Sequence, residues 1–225
     1  MKNKYLKRAR ISEDKFRLLL KYFSKDFSAT QTADLTSISL RSVTDIYQKL
    51  RSRIVELEIK QDMVDGEIEV DESYFGAQRI RGKRGRGASG KTPVVGLLKR
   101  DGKVYTQVIN NCSREALLPI IKGKVLEGST VYTDGWKSYD SLVLNGYKHY
   151  RIHHQENEFA RGKNHVNGIE SFWSYTKRRL RKFNGIRKDK FLLHLTESQF
   201  RWNNRGGIIY QILLKELRRN PLSAS

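Results

Sequence analysis

Apolar residues recur along the first sixty positions with the three-to-four spacing of a helix that hides one face. Phe16, Leu19, Leu20 and Phe23 fall on one side of a segment opened by Ser12. The stretch SATQTADLT reads as a short second helix with Ser28 or Thr30 as its cap. After a turn over residues 37–39, a longer helix, LRSVTDIYQKLRSRIVEL, sends Leu40, Val43, Ile46, Tyr47, Leu50 and Ile54 inward and leaves Arg41, Ser42 and Thr44 outward. Helix, short helix, tight turn and polar-faced helix outline a helix-turn-helix, whose last helix enters the major groove, although the turn carries no glycine. The competing reading is a helical hairpin that only joins two copies.

From residue 67 the period changes to that of strands. EIEVDESYF (67–75) reads as a strand, and PVVGLLKR and KVYTQVI as a hairpin turning at Asp101-Gly102. SREALLPIIKGK is predicted as a helix opened by Ser113, TVYTD as a short buried strand, SYDSLVLNG as a helix ending at Gly146, and KHYRIHH as a last strand. HVNGIESFWSYTKRRLRKF follows as a long helix capped by Asn164, then KDKFLLHLTESQFRWNNR as another. A hairpin beside parallel strands with crossover helices makes a mixed α/β sheet flanked by helices. The expected division is a DNA-binding region over 1–60, a catalytic domain over 67–205, and a C-terminal helix and tail over 206–225.

Charge changes this picture from a fold to a partner. Lys and Arg number 44 against 24 Asp and Glu, a formal net charge of +20, which on a folded chain points to nucleic acid. The single cysteine, Cys112, excludes an internal disulfide and argues for a reducing compartment and against a Cys-based zinc module. No apolar run is long enough to span a membrane, so a cytoplasmic, nucleoid-associated protein without membrane partners is expected. Against this basic background, residues 61–78 hold six acids and no Lys or Arg, among them Glu67, Glu69, Asp71 and Glu72. An acidic segment in such a chain is either a solvated linker or strand face or serves a function.

GRGASGKT (85–92) satisfies the phosphate-loop pattern by letter, but RIRGKR precedes it and Pro93 opens a strand, so the strand and helix that the mechanism needs are missing. The whole stretch GAQRIRGKRGRGASGKT, without an acid, reads instead as a loop lying on phosphate backbone through Lys83, Arg84, Arg86 and Lys91.

Three carboxylates stand apart. Asp71 lies in the first strand of the sheet, Asp134 ends TVYTD, and Glu170 sits early in the long helix. If the two strands are neighbours and the helix crosses their ends, the oxygens converge, and hard oxygen ligands suit Mg²⁺ or Mn²⁺, two of which would activate a water or hydroxyl and stabilise the leaving oxygen of a phosphodiester. Glu72 is the alternative ligand, because neighbouring strand residues face opposite sides. Lys177, seven residues after Glu170 and so on the same helix face, would hold a phosphate beside the ions. Arg178 and Arg179 are candidate DNA contacts. Trp136 reads as core or as a base-stacking ring.

Around these residues VDES, VYTDGWKSY and NHVNGIESFWSYTKRRL, with GKRGRGASGKTPVVGLL and HHQENEFARG, resemble bacterial insertion-sequence transposases with a DDE triad. The subgroup is the one whose core is called the ISXO-type transposase domain, in a short form without an N-terminal zinc ribbon. The resemblance covers residues 67–205. It implies a ribonuclease-H-like (retroviral-integrase-like) fold, Mg²⁺-dependent cleavage at transposon ends and strand transfer into target DNA. It maps Asp71, Asp134 and Glu170 onto the triad and Lys177 onto its companion basic residue. The partners expected are double-stranded DNA, as terminal inverted repeats and target, and further copies of the chain in a homodimer or larger assembly. The rivals are a non-catalytic helix-turn-helix regulator with a basic α/β dimerisation domain and an RNA-associated basic protein, neither of which has a use for three converging acids.

Overall fold

The computed structural model of the chain describes residues 3–8, 10–60, 62–76, 90–100, 102–134, 142–152 and 166–223. Two compact units emerge, one of residues 1–59 with 204–225 and one of residues 60–203. No helix among the described residues is long and apolar enough to cross a membrane.

The first unit is helical: α1 (Glu13–Ser24), α2 (Ala29–Thr36), α3 (Leu40–Ile59) and, from the far end of the chain, α7 (Ile209–Arg219). Strands β1 (Leu6–Lys7) and β7 (Leu222–Ser223) pair in parallel, so the C-terminal segment belongs with the first helices rather than standing as a separate tail. Ser12 caps α1, and Ser28, not Thr30, caps α2 through a reciprocal box with Gln31. The predicted apolar face of α1 is buried, Phe16, Leu19 and Leu20 completely. The turn into α3 needs a left-handed residue and has no glycine; Ser37 adopts that conformation at φ 52°. A buried hydrogen bond of 2.6 Å between Thr32 and Tyr47 ties α2 to α3, and the Arg51 guanidinium lies over the rings of Tyr47 and Phe23. Arg51 is accordingly buried.

The second unit is built on one sheet, of strands β2 (Glu67–Phe75), β3 (Thr92–Lys99), β4 (Val104–Val108), β5 (Thr130–Asp134) and β6 (Lys148–Ile152), in the order β4-β3-β2-β5-β6. β3 is antiparallel to β2 and β4, whereas β5 runs parallel to β2 and β6, the mixed pattern that a hairpin followed by crossovers requires. Helix α4 (Arg114–Lys124) covers one face, packing Leu117 and Ile121 on Ile68, Val70, Leu97 and Val131. Helices α5 (Asn167–Arg181) and α6 (Lys188–Asn203) cover the other through Ile169, Phe172, Trp173 and Leu195 against Val94, Leu98 and Tyr132. From α6, Gln199 accepts the backbone N–H of Thr106 at 2.8 Å, while Asn203 bonds both the N–H and the carbonyl of Val104, so amide side chains occupy the outer edge of β4.

Two expectations change. The segment read as a helix ending at Gly146 holds only a single 3₁₀ turn over Val143–Asn145, closed by left-handed Gly146, in its described part. Helix α5 begins at Asn167 without a side-chain cap from Val166; Asn164 lies outside the described residues, as do Asp101 and Trp136.

Candidate active site

Side chains on β2 alternate between the two faces of the sheet. Ile68 and Val70 enter the core beneath α4, and Phe75 enters that beneath α5, which puts Glu67, Glu69, Asp71 and Ser73 on the α5 side. On β5, Tyr132 belongs to the same side, and Asp134 with it. The parallel register of β2 and β5 runs from Glu67 opposite Thr130 to Val70 opposite Thr133, a constant offset of 130 − 67 = 63. Asp71 and Asp134 are also 134 − 71 = 63 apart, so continuing that register sets Asp71, midway along β2, level with Asp134 at the C-terminal end of β5. The interval between the two aspartates is thus the ladder register.

Helix α5 brings the third carboxylate. It can lie close because Asp71 is paired across β3 with Gly96, where a Cβ would come within 2.5 Å of the Trp173 ring and 2.9 Å of Ile169. Any side chain there would lift the helix away. Burial first, with the charges of Asp134 and Glu170, pushes the Asp71 carboxyl up to about 6, against the lowering effect of the Glu72 backbone N–H and the Trp173 indole. That indole N–H lies beside Asp71 without completing a well-formed hydrogen bond. Among the described residues no three His, Cys, Asp or Glu side chains are close enough together to hold a metal ion. The three acids therefore share a field rather than a coordination shell.

Lys177 lies in the same field. Burial pulls its ammonium below the ordinary lysine value, Asp71 opposes the fall, and Lys91 adds to it. Its Nζ is 5.9 Å from the centre of the Phe75 ring. Lys91, read as part of the basic loop, thus sits at the site, whereas Lys83, Arg84 and Arg86 lie outside the described residues. Glu72 is on the other face of β2 with Tyr74, whose hydroxyl is 3.1 Å from the Cys112 thiol; burial raises that thiol, and Glu72, Asp71 and Asp134 contribute.

The basic helix end divides. Arg178 is exposed and donates to Ser174 at 2.9 Å. Arg179, expected to touch DNA, is instead buried at 6% exposure between α5 and α6. It pairs with Glu197, itself bonded to Arg201 at 2.8 Å, and donates to Ser198 at 3.0 Å. It therefore fastens two helices and has no surface to offer a phosphate. In the first unit Arg41, Ser42 and Thr44 are exposed at the start of α3, with the Ser42 hydroxyl receiving a hydrogen bond from Ser39.

Near the carboxylates, Arg100 and the structural role of Glu69 went unnoticed in the sequence. Glu69 and Arg100 form a buried pair, Arg100 Nε donating to Glu69 Oε1 at 3.1 Å, with the guanidinium 3.8 Å above the Tyr132 ring. Glu67 joins them, accepting the Tyr132 hydroxyl at 2.8 Å. The signal was the repeated alternation of acids on one strand face.

Residues 63–203 match the ISXO2-like transposase domain along the length of the second unit. The chain belongs to that family of transposases. A transposase-like protein of Haemophilus influenzae is 47% identical over 121 residues, 53% of this chain and 97% of that protein. A protein of the transposable element ISH50 of Halobacterium salinarum is 28% identical over 176 residues, 71% of this chain; the match spans 60% of its length. Among solved structures, this transposase-family chain is similar to one in the simian T-cell lymphotropic virus intasome bound to a PP2A regulatory subunit, with TM-score 0.41 and 9% identity over 87% of this chain and 74% of that one.

Proposed function

We propose that the protein is a DDE transposase of DNA, which cleaves phosphodiesters at the ends of an insertion sequence and transfers the freed strands into target DNA. The observation that carries this reading is the placement of Asp71, midway along β2, level with Asp134 at the end of β5 on the face covered by α5, with Glu170 of that helix in the same field. A fold that buries an acid beside two more gains from a cation, and the donor set, oxygen only, fits a hard divalent ion. Asp71, Asp134 and Glu170 would hold Mg²⁺ or Mn²⁺, two ions in all, which when bound supply the Lewis acidity for phosphodiester chemistry.

The chain's own residues do the rest. Lys177 and Lys91 steady the phosphate next to the carboxylates, and Gly96 lets Trp173 and α5 exclude water from the Asp71 side. Arg178, with Lys83, Arg84 and Arg86, follows the backbone of the duplex. Helices α2 and α3 act as a helix-turn-helix that reads the terminal inverted repeats through Arg41, Ser42 and Thr44, and two or more copies assemble to hold both ends. The strand order with its antiparallel hairpin and parallel β5 and β6 supports a ribonuclease-H-like assignment for the second unit.

The decisive experiment uses Asp134→Asn. The purified variant, in Mg²⁺ with a duplex carrying the element's own ends, should bind DNA as the wild type does and neither nick nor join it. Strand transfer at the wild-type rate would rule the reading out.

A further inference from the structure

Helix α5 carries Glu170 in its first turn but owns no cap: Val166 provides no side-chain hydrogen bond to the free N–H groups there. The acceptor comes from the sheet. Glu69, 1% exposed, receives the backbone N–H of Ile169 on Oε2 at 2.9 Å and the Arg100 Nε on Oε1 at 3.1 Å. A carboxylate is favourable at a helix N-terminus because it meets the positive end of the helix dipole. The fit is tight, since a Cβ on Gly168 would lie 2.8 Å from Glu69 Oε2 and 2.9 Å from Leu98.

Glu69 precedes Asp71 by two residues on the same face of β2, a strand distance of about 7 Å. One strand thus carries both an acid of the candidate site and the group that holds the helix bearing another. We infer that Glu69 is a positioning residue for Glu170: by bonding Ile169 with one oxygen and Arg100 with the other, it fixes the first turn of α5 on β2 and sets how Glu170 meets Asp71. This role rests on the reading of Asp71, Asp134 and Glu170 as the ion-holding set. It also explains why the strand needs a carboxylate there. The two oxygens face two donors, and an amide could accept from only one of them while turning its NH₂ on the other.

The test uses the full chain as wild type, Glu69→Gln, Gly168→Ala and Asp71→Asn, with Mn²⁺ alone as the probe. Amide hydrogen exchange is followed at Ile169 and Glu170, and free Mn²⁺ is titrated by its paramagnetic resonance. In Glu69→Gln the two amides should exchange at least about tenfold faster and the Mn²⁺ dissociation constant should rise by about tenfold, as when a supporting partner of a metal ligand is lost. Gly168→Ala, which pushes the same turn from the helix side, should do likewise and serves if the Gln variant does not fold. Unchanged exchange and Mn²⁺ affinity in these variants, while Asp71→Asn loses the ion, would overturn the role of Glu69 and leave the proposed function standing. Full retention of Mn²⁺ by Asp71→Asn would overturn the ion site itself, and the positioning role with it.

Discussion

Along the α5-facing side of β2, Glu67 and Glu69 stand beside a cation that the fold supplies, whereas Asp71, two residues further, stands beside two more carboxylates. Arg100 reaches both glutamates, 3.5 Å from Glu67 and 3.1 Å from Glu69, and its side chain is only 12% exposed. Asp71 has Lys177 in its field, yet burial with Asp134 and Glu170 still raises it to about 6. The same strand thus holds a neutralised half and a strained half. Acids spent on structure are matched by an internal partner, and acids left mismatched mark where an outside cation is wanted.

Removing the internal partner should have the largest effect on stability. Arg100→Ala leaves Glu69 buried without its guanidinium partner, and chemical denaturation should find the chain about 3–5 kcal/mol less stable. A loss below about 1 kcal/mol would mean that the neutralised half is no more structural than a surface pair.

The strained half should answer in the opposite direction. Asp71→Asn removes a carboxyl that in the folded chain keeps its proton to higher pH than in the unfolded one. Wild-type stability therefore falls as pH rises from about 4 through about 6, and the variant escapes that fall. Without metal at pH 7.5 the variant should be more stable by about 1–3 kcal/mol, with the gap closing below about pH 4 and narrowing in Mn²⁺. A variant less stable than wild type at pH 7.5 would erase the contrast between the two halves.

Smaller effects separate the cations of α5. Lys177→Ala should lower the cleavage rate at saturating DNA at least about tenfold, roughly 1.4 kcal/mol of barrier. Arg178→Ala should leave that rate alone, weaken binding, and make the salt dependence of affinity shallower by about one contact. Equal behaviour of the two variants would move Lys177 to the backbone-tracking face.

Much of this arrangement could be read in the chain before its structure was known. Strands 67–75 and 130–134 carry their bounds in local pattern, and the 63-residue interval between two aspartates turned out to be a register. What stayed hidden depends on partners far away in sequence. Arg179 lies in a run of basic residues that looks solvated, and only the approach of α6 brings Glu197 against it. The start of α5 has no local cap because its acceptor, Glu69, lies 100 residues earlier. The described part of the segment before Gly146 forms a 3₁₀ turn over Val143–Asn145, closed by left-handed Gly146, where the letters suggested an α-helix. Likewise, nothing in residues 206–225 announces that β7 will pair with β1.

The amide side chains along β4 bear on how this protein behaves when crowded. An uncovered sheet edge is a template on which another extended chain can add, and long edges of this kind lead to fibrous aggregation. Asn203 already occupies the N–H and the carbonyl of Val104, and Gln199 the N–H of Thr106. An invading strand would first have to displace them, together with the helix that carries them. At those two residues the edge of the sheet is closed to strand addition, so any assembly of copies has to use other surfaces.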